Sequence, residues 1–375
     1  MNTTRPIDEV AVKGYKSIRD QIDIRLDSLN VFVGANGSGK SNLVSLFRLV
    51  ADIVDQRLRY RVAKEGGPDR LLHQGSKVTP SMGAFFKFGT NGYGFRLEPT
   101  AGNTLMLADE AIYWEGNVWS IPAEQRFLSL GSGLEESKLR EAYEEEEARN
   151  AKGILHFVYP SVKSWTVYHF HDTSESAELK KRQWIRDSGR LFPDAANLAP
   201  LLFRLRTQEP RAYQMIRNIV RLAVPYFEDF EVDPLVDNPE QTELRWRQSG
   251  SEYTFHASQL SDGSLRLMCL VLALLQPNPP RTIIIDEPEL GLHPYALTLV
   301  AGLAKQASLR AQVILCTQSP TLLNEFEPAE VIVTEHRDGT SKFERLDPVR
   351  LASWLEDFSL GQLWQKNVIG GGPGR

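Results

Sequence analysis

The octapeptide Gly34-Ala35-Asn36-Gly37-Ser38-Gly39-Lys40-Ser41 constrains this chain more than any other stretch, because of what flanks it. It follows the apolar run Val31-Phe32-Val33 and precedes the helical pattern Leu43 to Val50. A glycine-rich turn between a buried strand and a helix lets successive backbone N–H groups point inward around phosphate oxygens, and the helix N-terminus adds favourable potential. In such a loop Lys40 reaches terminal phosphates and Ser41 offers a hydroxyl to Mg²⁺. Residues Gly34 to Asn42 are therefore candidate nucleotide-binding positions.

A second polar site closes an apolar strand. Thr282-Ile283-Ile284-Ile285 is short enough to be buried on both faces, and it ends in Asp286-Glu287. A carboxylate pair there is unusual as packing. It suits phosphoryl transfer, in which positioning and charge stabilisation do most of the work: Asp286 would serve the Mg²⁺ shell, and Glu287 would orient and deprotonate the attacking water. Glu289 would assist this pair, or would simply fill a turn made by Pro288 and Gly291, where polar residues are favoured anyway.

Around these sites the pattern is α/β. Strands are expected at Val10–Val12, Ile22–Leu26 and Leu29–Val33. From Phe85 to Ile121 it becomes antiparallel, with hairpin turns expected at Asn91-Gly92 and Gly116-Asn117. Residues from Phe127 to Asn150, ending in the acidic run Glu144–Glu147, and from Asn197 to Ala223 have helical spacing. From Tyr253 onward strands and helices alternate again, which indicates a largely parallel sheet covered by helices. The expected organisation is an N-terminal half-head over 1–125, a helical lobe over 126–252 and a C-terminal half-head over 253–375, with a flexible tail from Gly370.

Composition narrows the partners. A net charge of -5 argues against wholesale coating of nucleic acid. Local basic strips remain at Arg57, Arg59, Arg61, Lys64 and Arg70, and at Lys180, Lys181, Arg182 and Arg186; each also reads as a solvated helix face. Cys269 and Cys316 sit in apolar runs, which fits a reducing cytosol. With no apolar run of about 18 residues and no basic, apolar leader, a cytoplasmic protein without membrane contact is expected. His169 and His171, on a strand, would point to opposite faces and could not share an ion with Asp172.

Leu260-Ser261-Asp262-Gly263-Ser264, leading into the apolar helix Leu265 to Leu275, resembles the signature motif of ABC ATPases. Together with the phosphate loop and Ile285-Asp286-Glu287-Pro288-Glu289, it makes the chain resemble the RecF-like, SMC-related ATPases, and specifically the bacterial ABC-head group. Further stretches carrying the likeness are Gly14-Tyr15-Lys16-Ser17, Tyr168 to Ser174, Leu290-Gly291-Leu292-His293-Pro294 and Leu360-Gly361-Gln362-Leu363-Trp364.

The resemblance implies an α/β ABC-ATPase head with a mainly parallel P-loop core sheet, an antiparallel β subdomain and an inserted, mostly helical lobe. It implies ATP and Mg²⁺ as ligands. Ser261, Asp262 and Gly263 of one subunit would close over ATP held by the partner's phosphate loop, in a homodimer or a higher oligomer. Gln318 occupies the place where many relatives carry a γ-phosphate-sensing histidine, which implies slow turnover, since glutamine cannot titrate near neutral pH. Gln74 is the candidate for the Mg²⁺-contacting glutamine between the lobes. The short insertion shows no sustained heptads, so a compact head without coiled-coil arms is expected.

Two outputs remain open. One is an ATP-driven switch that handles DNA in repair or genome defence. The other is an ATPase that controls a separate effector, a nuclease or toxin, in a bacterial antiphage system; the stretch after Ser319 is expected to be too short for an appended nuclease domain.

Overall fold

A computed structural model describes residues 4–114, 127–149 and 153–372. The chain begins with β1 (Glu9–Tyr15), β2 (Ile18–Arg25), β3 (Leu29–Val33), α1 (Lys40–Val54), α2 (Leu58–Glu65), β4 (Met82–Phe88), β5 (Asn91–Pro99), β6 (Leu105–Trp114), β7 (Phe127–Gly131), α3 (Leu139–Ala148) and α4 (Leu155–Lys163). Next come β8 (Trp165–Tyr168), β9 (Gln183–Trp184), α5 (Leu198–Gln208), α6 (Pro210–Ala223), β10 (Phe227–Glu231), β11 (Gln241–Thr242), β12 (Arg245–Gln248), β13 (Thr254–His256), α7 (Asp262–Leu275), β14 (Thr282–Asp286), α8 (Pro294–Ser308), β15 (Gln312–Thr317) and α9 (Pro320–Leu323). The last elements are β16 (Val331–Arg337), β17 (Thr340–Arg345), α10 (Pro348–Leu355) and α11 (Leu360–Gln365). Two compact units result, Met1–Trp165 with Glu327–Arg375, and Thr166–Phe326.

In the first unit, β2-β1-β4-β5-β6-β7 form an antiparallel sheet, and β3 pairs in parallel with β16, Val31 to Val33 lying opposite Val331 to Val333. β3 is buried at every position, as a strand covered on both faces must be. Asp338 and Gly339, with φ of 53° and 75°, make the two-residue turn from β16 to β17, where both central residues need positive φ. Helix α1 buries Leu43, Leu46, Phe47 and Val50 along one stripe and Val44, Leu49 and Ile53 beside it, so it is a core helix rather than a surface one. An aromatic cluster anchors it: the Trp165 ring lies 5.5 Å from Phe47, 4.9 Å from Phe86 and 5.9 Å from Phe88.

The first expected hairpin turn is displaced. β4 runs to Phe88, which faces Asn91, so the loop is Gly89-Thr90, and Asn91-Gly92 lies inside β5. Gly89 supplies the positive φ of 61° that a two-residue loop favours at its first central position. Gly92 is glycine for another reason: a Cβ there would lie 2.5 Å from the Phe85 ring. The second expected turn, Gly116-Asn117, lies outside the described residues. The stretch expected to be helical from Phe127 begins instead with β7, and α3 starts only at Leu139.

In the second unit, β14 and β15 are parallel and buried throughout, Thr282 to Asp286 lying opposite Gln312 to Cys316, and the order is β15-β14-β8. Helix α7 packs against α6 and α8, and all ten residues from Leu265 to Leu275 other than Arg266 are buried. A three-stranded antiparallel sheet, β10-β12-β13, and an antiparallel pair, β11-β9, also belong to this unit.

Candidate functional site

The phosphate loop leaves β3 at Val33 and enters α1 at Lys40. Two of its glycines, Gly34 and Gly39, are required by the space they occupy. A Cβ on Gly34 would stand 2.3 Å from the Thr334 carbonyl oxygen and 2.6 Å from Ser38 Oγ; one on Gly39, where φ is 115°, would stand 2.0 Å from Ser341 Oγ. Gly37, at φ 80°, faces open space. Lys40 is buried and its ammonium donates to the carbonyls of Gly34 at 2.5 Å and Ala35 at 3.0 Å, so the charge lies across the mouth of the loop. Ser41 is exposed at the head of α1, while Ser38 Oγ is buried and has no hydrogen-bond partner among the described residues.

Three polar side chains brace this loop, of which motif reading assigned Asn42 but not Ser17 or Ser341. Ser341 Oγ donates to the Ser38 carbonyl at 2.6 Å and sits 2.6 Å from Ser17 Oγ, to which the Asn42 amide donates at 2.7 Å. Asn42 therefore acts on the loop through Ser17. For Ser17 and Ser341 the only prior signal was the resemblance at Gly14 to Ser17. Gln74 is exposed on the segment beside β1, held there by a bond from the His73 N–H to the Gly14 carbonyl at 3.0 Å; Gln74 itself has φ 57°.

In the second unit, Asp286 is buried at the C-terminal end of β14, and Glu287 follows with φ 51°, a left-handed conformation uncommon for a residue with a side chain. Gln318 Nε2 donates to Glu287 Oε1 at 3.2 Å. The Gln318 backbone N–H donates to Glu289 Oε1 at 2.8 Å, while Glu289 Oε2 is buried with no hydrogen-bond partner among the described residues. Burial pushes the Glu289 carboxyl above the usual carboxylate range, against the Gln318 N–H, which pulls it down. Glu289 is thus built into the link between Asp286-Glu287 and the segment after β15.

Ser261 caps α7, its Oγ accepting the Ser264 N–H at 3.2 Å, and Asp262 adds a carboxylate to the first turn. Ser261 and Asp262 are exposed. Gly263 packs so closely on the Leu290 to Pro294 turn that a Cβ would come 2.3 Å from the Gly291 carbonyl oxygen. Arg266 secures the same turn and the segment after β8, donating to the carbonyls of Leu290 at 3.4 Å, Phe170 at 3.2 Å and His171 at 3.1 Å.

These features fit the ligands the motifs imply. The loop carries a buried ammonium, two glycines with no room for a Cβ and a serine hydroxyl with no hydrogen-bond partner among the described residues, and the Ser41 hydroxyl is the hard oxygen type that Mg²⁺ prefers.

Other candidates look different in three dimensions. The His169 and His171 rings do not diverge, because the chain leaves β8 at Tyr168; their centroids lie 4.0 Å apart. Even so, among the described residues no group of three His, Cys, Asp or Glu could hold a metal ion. Most of the basic strip residues are consumed internally. Arg57 and Arg61 pair with Asp52 at 2.8 and 2.7 Å, and Arg59 pairs with Glu135. Lys180 is buried against the Thr173 carbonyl, Lys181 pairs with Glu178, Arg182 pairs with Asp237, and Arg186 lies over the Trp184 ring. Burial pushes the Cys269 thiol up to about 12. Among the described residues no helix is long and apolar enough to cross a membrane.

Residues 29–324 match the family described as "AAA domain, putative AbiEii toxin, Type IV TA system". Among curated proteins, urease accessory protein 2 of Cryptococcus neoformans var. grubii is 38% identical over 81 residues, a segment that spans 21% of this chain and only 6% of that protein. Among solved structures, an SmcHead bound to the C-winged helix domain of ScpA superposes with a TM-score of 0.59 at 16% identity, over 93% of this chain and 99% of that one. The Smc head with an extended coiled coil from Pyrococcus furiosus, bound to the C-terminal domain of ScpA, gives 0.55 at 16% identity, over 94% and 99%. The chain therefore belongs to this AAA-domain family and has the SMC-related, ABC-type ATPase head fold.

Proposed function

We propose that the chain binds and hydrolyses ATP as a dimeric switch. The observation that carries this reading is the phosphate loop itself: a family match that spans it, glycines at Gly34 and Gly39 that tolerate no Cβ, and a buried Lys40 across its mouth. Amides of Gly34 to Ser41 would grip phosphates and Lys40 would neutralise them. Ser41 and Asp286 would hold Mg²⁺, with Gln74 as a further contact, and the ion would neutralise charge on the phosphate oxygens. Glu287 would accept a proton from the attacking water, and Gln318, bonded to Glu287, would orient that carboxylate.

Ser261, Asp262 and Gly263 stand at an exposed helix N-terminus, and Leu290 is exposed on the turn that Gly263 packs against, which supports closure of this surface on a second copy's nucleotide. Nucleotide state would then set which surface a partner meets. Of the two outputs, control of a separate protein effector is favoured over DNA handling. Arg57, Arg59, Arg61, Lys181 and Arg182 already sit beside carboxylates and Lys180 is buried, which breaks up both basic strips, and the family description names a toxin–antitoxin system. The Smc head solved with a ScpA domain offers a protein-bound precedent.

The test is the mass of the Glu287→Gln protein in solution. A shift from monomer to dimer on adding ATP and Mg²⁺ is expected. An unchanged monomer with ATP bound would overturn the two-sided site.

A further inference from the structure

Gly370-Gly371-Gly372 reads in sequence as a flexible tail, yet the structure ties it to the phosphate loop. The Ala35 N–H donates to the Gly371 carbonyl at 2.8 Å, and the Trp364 indole N–H donates to the same oxygen at 2.9 Å. Trp364 is buried, and the Gly372 N–H donates to Asn367 Oδ1 at 3.0 Å, so the peptide between Gly371 and Gly372 is fastened at both its carbonyl and its N–H. Gly370 and Gly371 have φ of 78° and 63°. A Cβ on Gly371 would stand 2.7 Å from Val333 Cγ1 and 2.8 Å from the Thr334 carbonyl oxygen. That oxygen is the one that excludes a Cβ from Gly34. The middle of β16 is thus pressed between a glycine of the loop and a glycine of the tail, and neither tolerates a side chain.

The loop is consequently pinned at two places. Gly371 holds it at Ala35, and Ser341 Oγ holds it at the Ser38 carbonyl. A loop held in shape loses less freedom when its amides close on phosphate, so the pins translate into affinity. We propose that Gly371, fixed by Trp364, is a positioning element of the nucleotide site that acts through the Ala35 amide. The proposal rests on the reading of Gly34 to Ser41 as that site.

Two variants of the full chain test it. Trp364→Phe keeps a ring and removes the N–H; Gly371→Val drives a branched side chain against Val333 and Thr334. The readouts are equilibrium binding of ATP and ADP with Mg²⁺, hydrogen exchange at the Ala35 amide, and ATP turnover. Because one net hydrogen bond is worth about 1 kcal/mol, about fivefold in affinity, Gly371→Val is expected to weaken both nucleotides about fivefold and Trp364→Phe, which acts indirectly, about threefold. The Ala35 amide should lose protection, while kcat at saturating ATP stays within about twofold, since preorganisation of this kind acts on binding. Lys40→Ala separates the two readings. If Lys40→Ala binds ATP as the wild type does, the nucleotide site itself is misassigned. If Lys40→Ala loses binding while Trp364→Phe exposes Ala35 and still binds ATP with wild-type affinity, the positioning role is overturned. Should Gly371→Val fail to fold, Trp364→Phe alone decides.

Discussion

Replacing Glu289 tests how the acid pair is joined to the segment after β15. Glu289 Oε1 accepts the Gln318 N–H at 2.8 Å, and Gln318 Nε2 reaches Glu287 Oε1 at 3.2 Å, so one carboxylate holds the backbone from which the other is contacted. Glu289→Ala removes the acceptor and leaves a partly buried N–H unmade, which costs about 1–3 kcal/mol. A loss of about 2 kcal/mol in local stability corresponds to roughly 30-fold faster hydrogen exchange at the Gln318 amide. Glu289→Gln keeps an acceptor at Oε1 and should stay within about fivefold of wild type. The charge adds a pH signature. Burial, the largest cause, raises the Glu289 carboxyl above its unfolded value, so its contribution to stability is full below the ordinary carboxylate range and is lost as pH rises through the raised one. Glu289→Gln escapes that loss, so its melting temperature should gain on wild type between acid and neutral pH. Turnover should fall in Glu289→Ala and largely persist in Glu289→Gln. Equal loss of amide protection in both variants, or none in Glu289→Ala, would refute the acceptor role.

Gly39→Val should abolish nucleotide binding and destabilise the first unit by about 2–4 kcal/mol, because a Cβ would overlap Ser341 Oγ and the backbone there has φ 115°; chemical denaturation and ATP titration check this. DNA binding should be weak and nearly independent of sequence at low salt, with a shallow fall of affinity as salt rises; a steep salt slope of many released ions, with DNA-stimulated turnover, would restore the DNA-handling output.

Much of the site was legible because its chemistry is local in sequence. The loop from Gly34 to Ser41 needs glycines in a strand-to-helix turn, and buried strands such as Thr282–Asp286 announce themselves as short apolar runs. Turn placement was less secure. Asn91-Gly92 has the right letters for a hairpin, but the Phe85 ring already claims the space a side chain at 92 would fill, and Gly89-Thr90 turns instead. At Asp338-Gly339 composition and turn agree, because no packing demand competes there.

The sequence by itself determined that this chain carries a phosphate loop, a capped signature helix and a carboxylate pair at a strand end, since each is specified by residues adjacent along the chain. Only the tertiary structure decided what holds them in place. Ser17, Ser341 and Asn42 meet around Gly39, Glu289 ties Gln318 to Glu287, and Gly371 pins Ala35, across separations that no spacing rule encodes. It also decided that Arg59 and Arg182 stand beside Glu135 and Asp237, carboxylates brought in from distant segments. Hydrogen bonds and steric exclusion act through space, so side chains far apart in sequence become partners only when the fold brings them within about 3 Å.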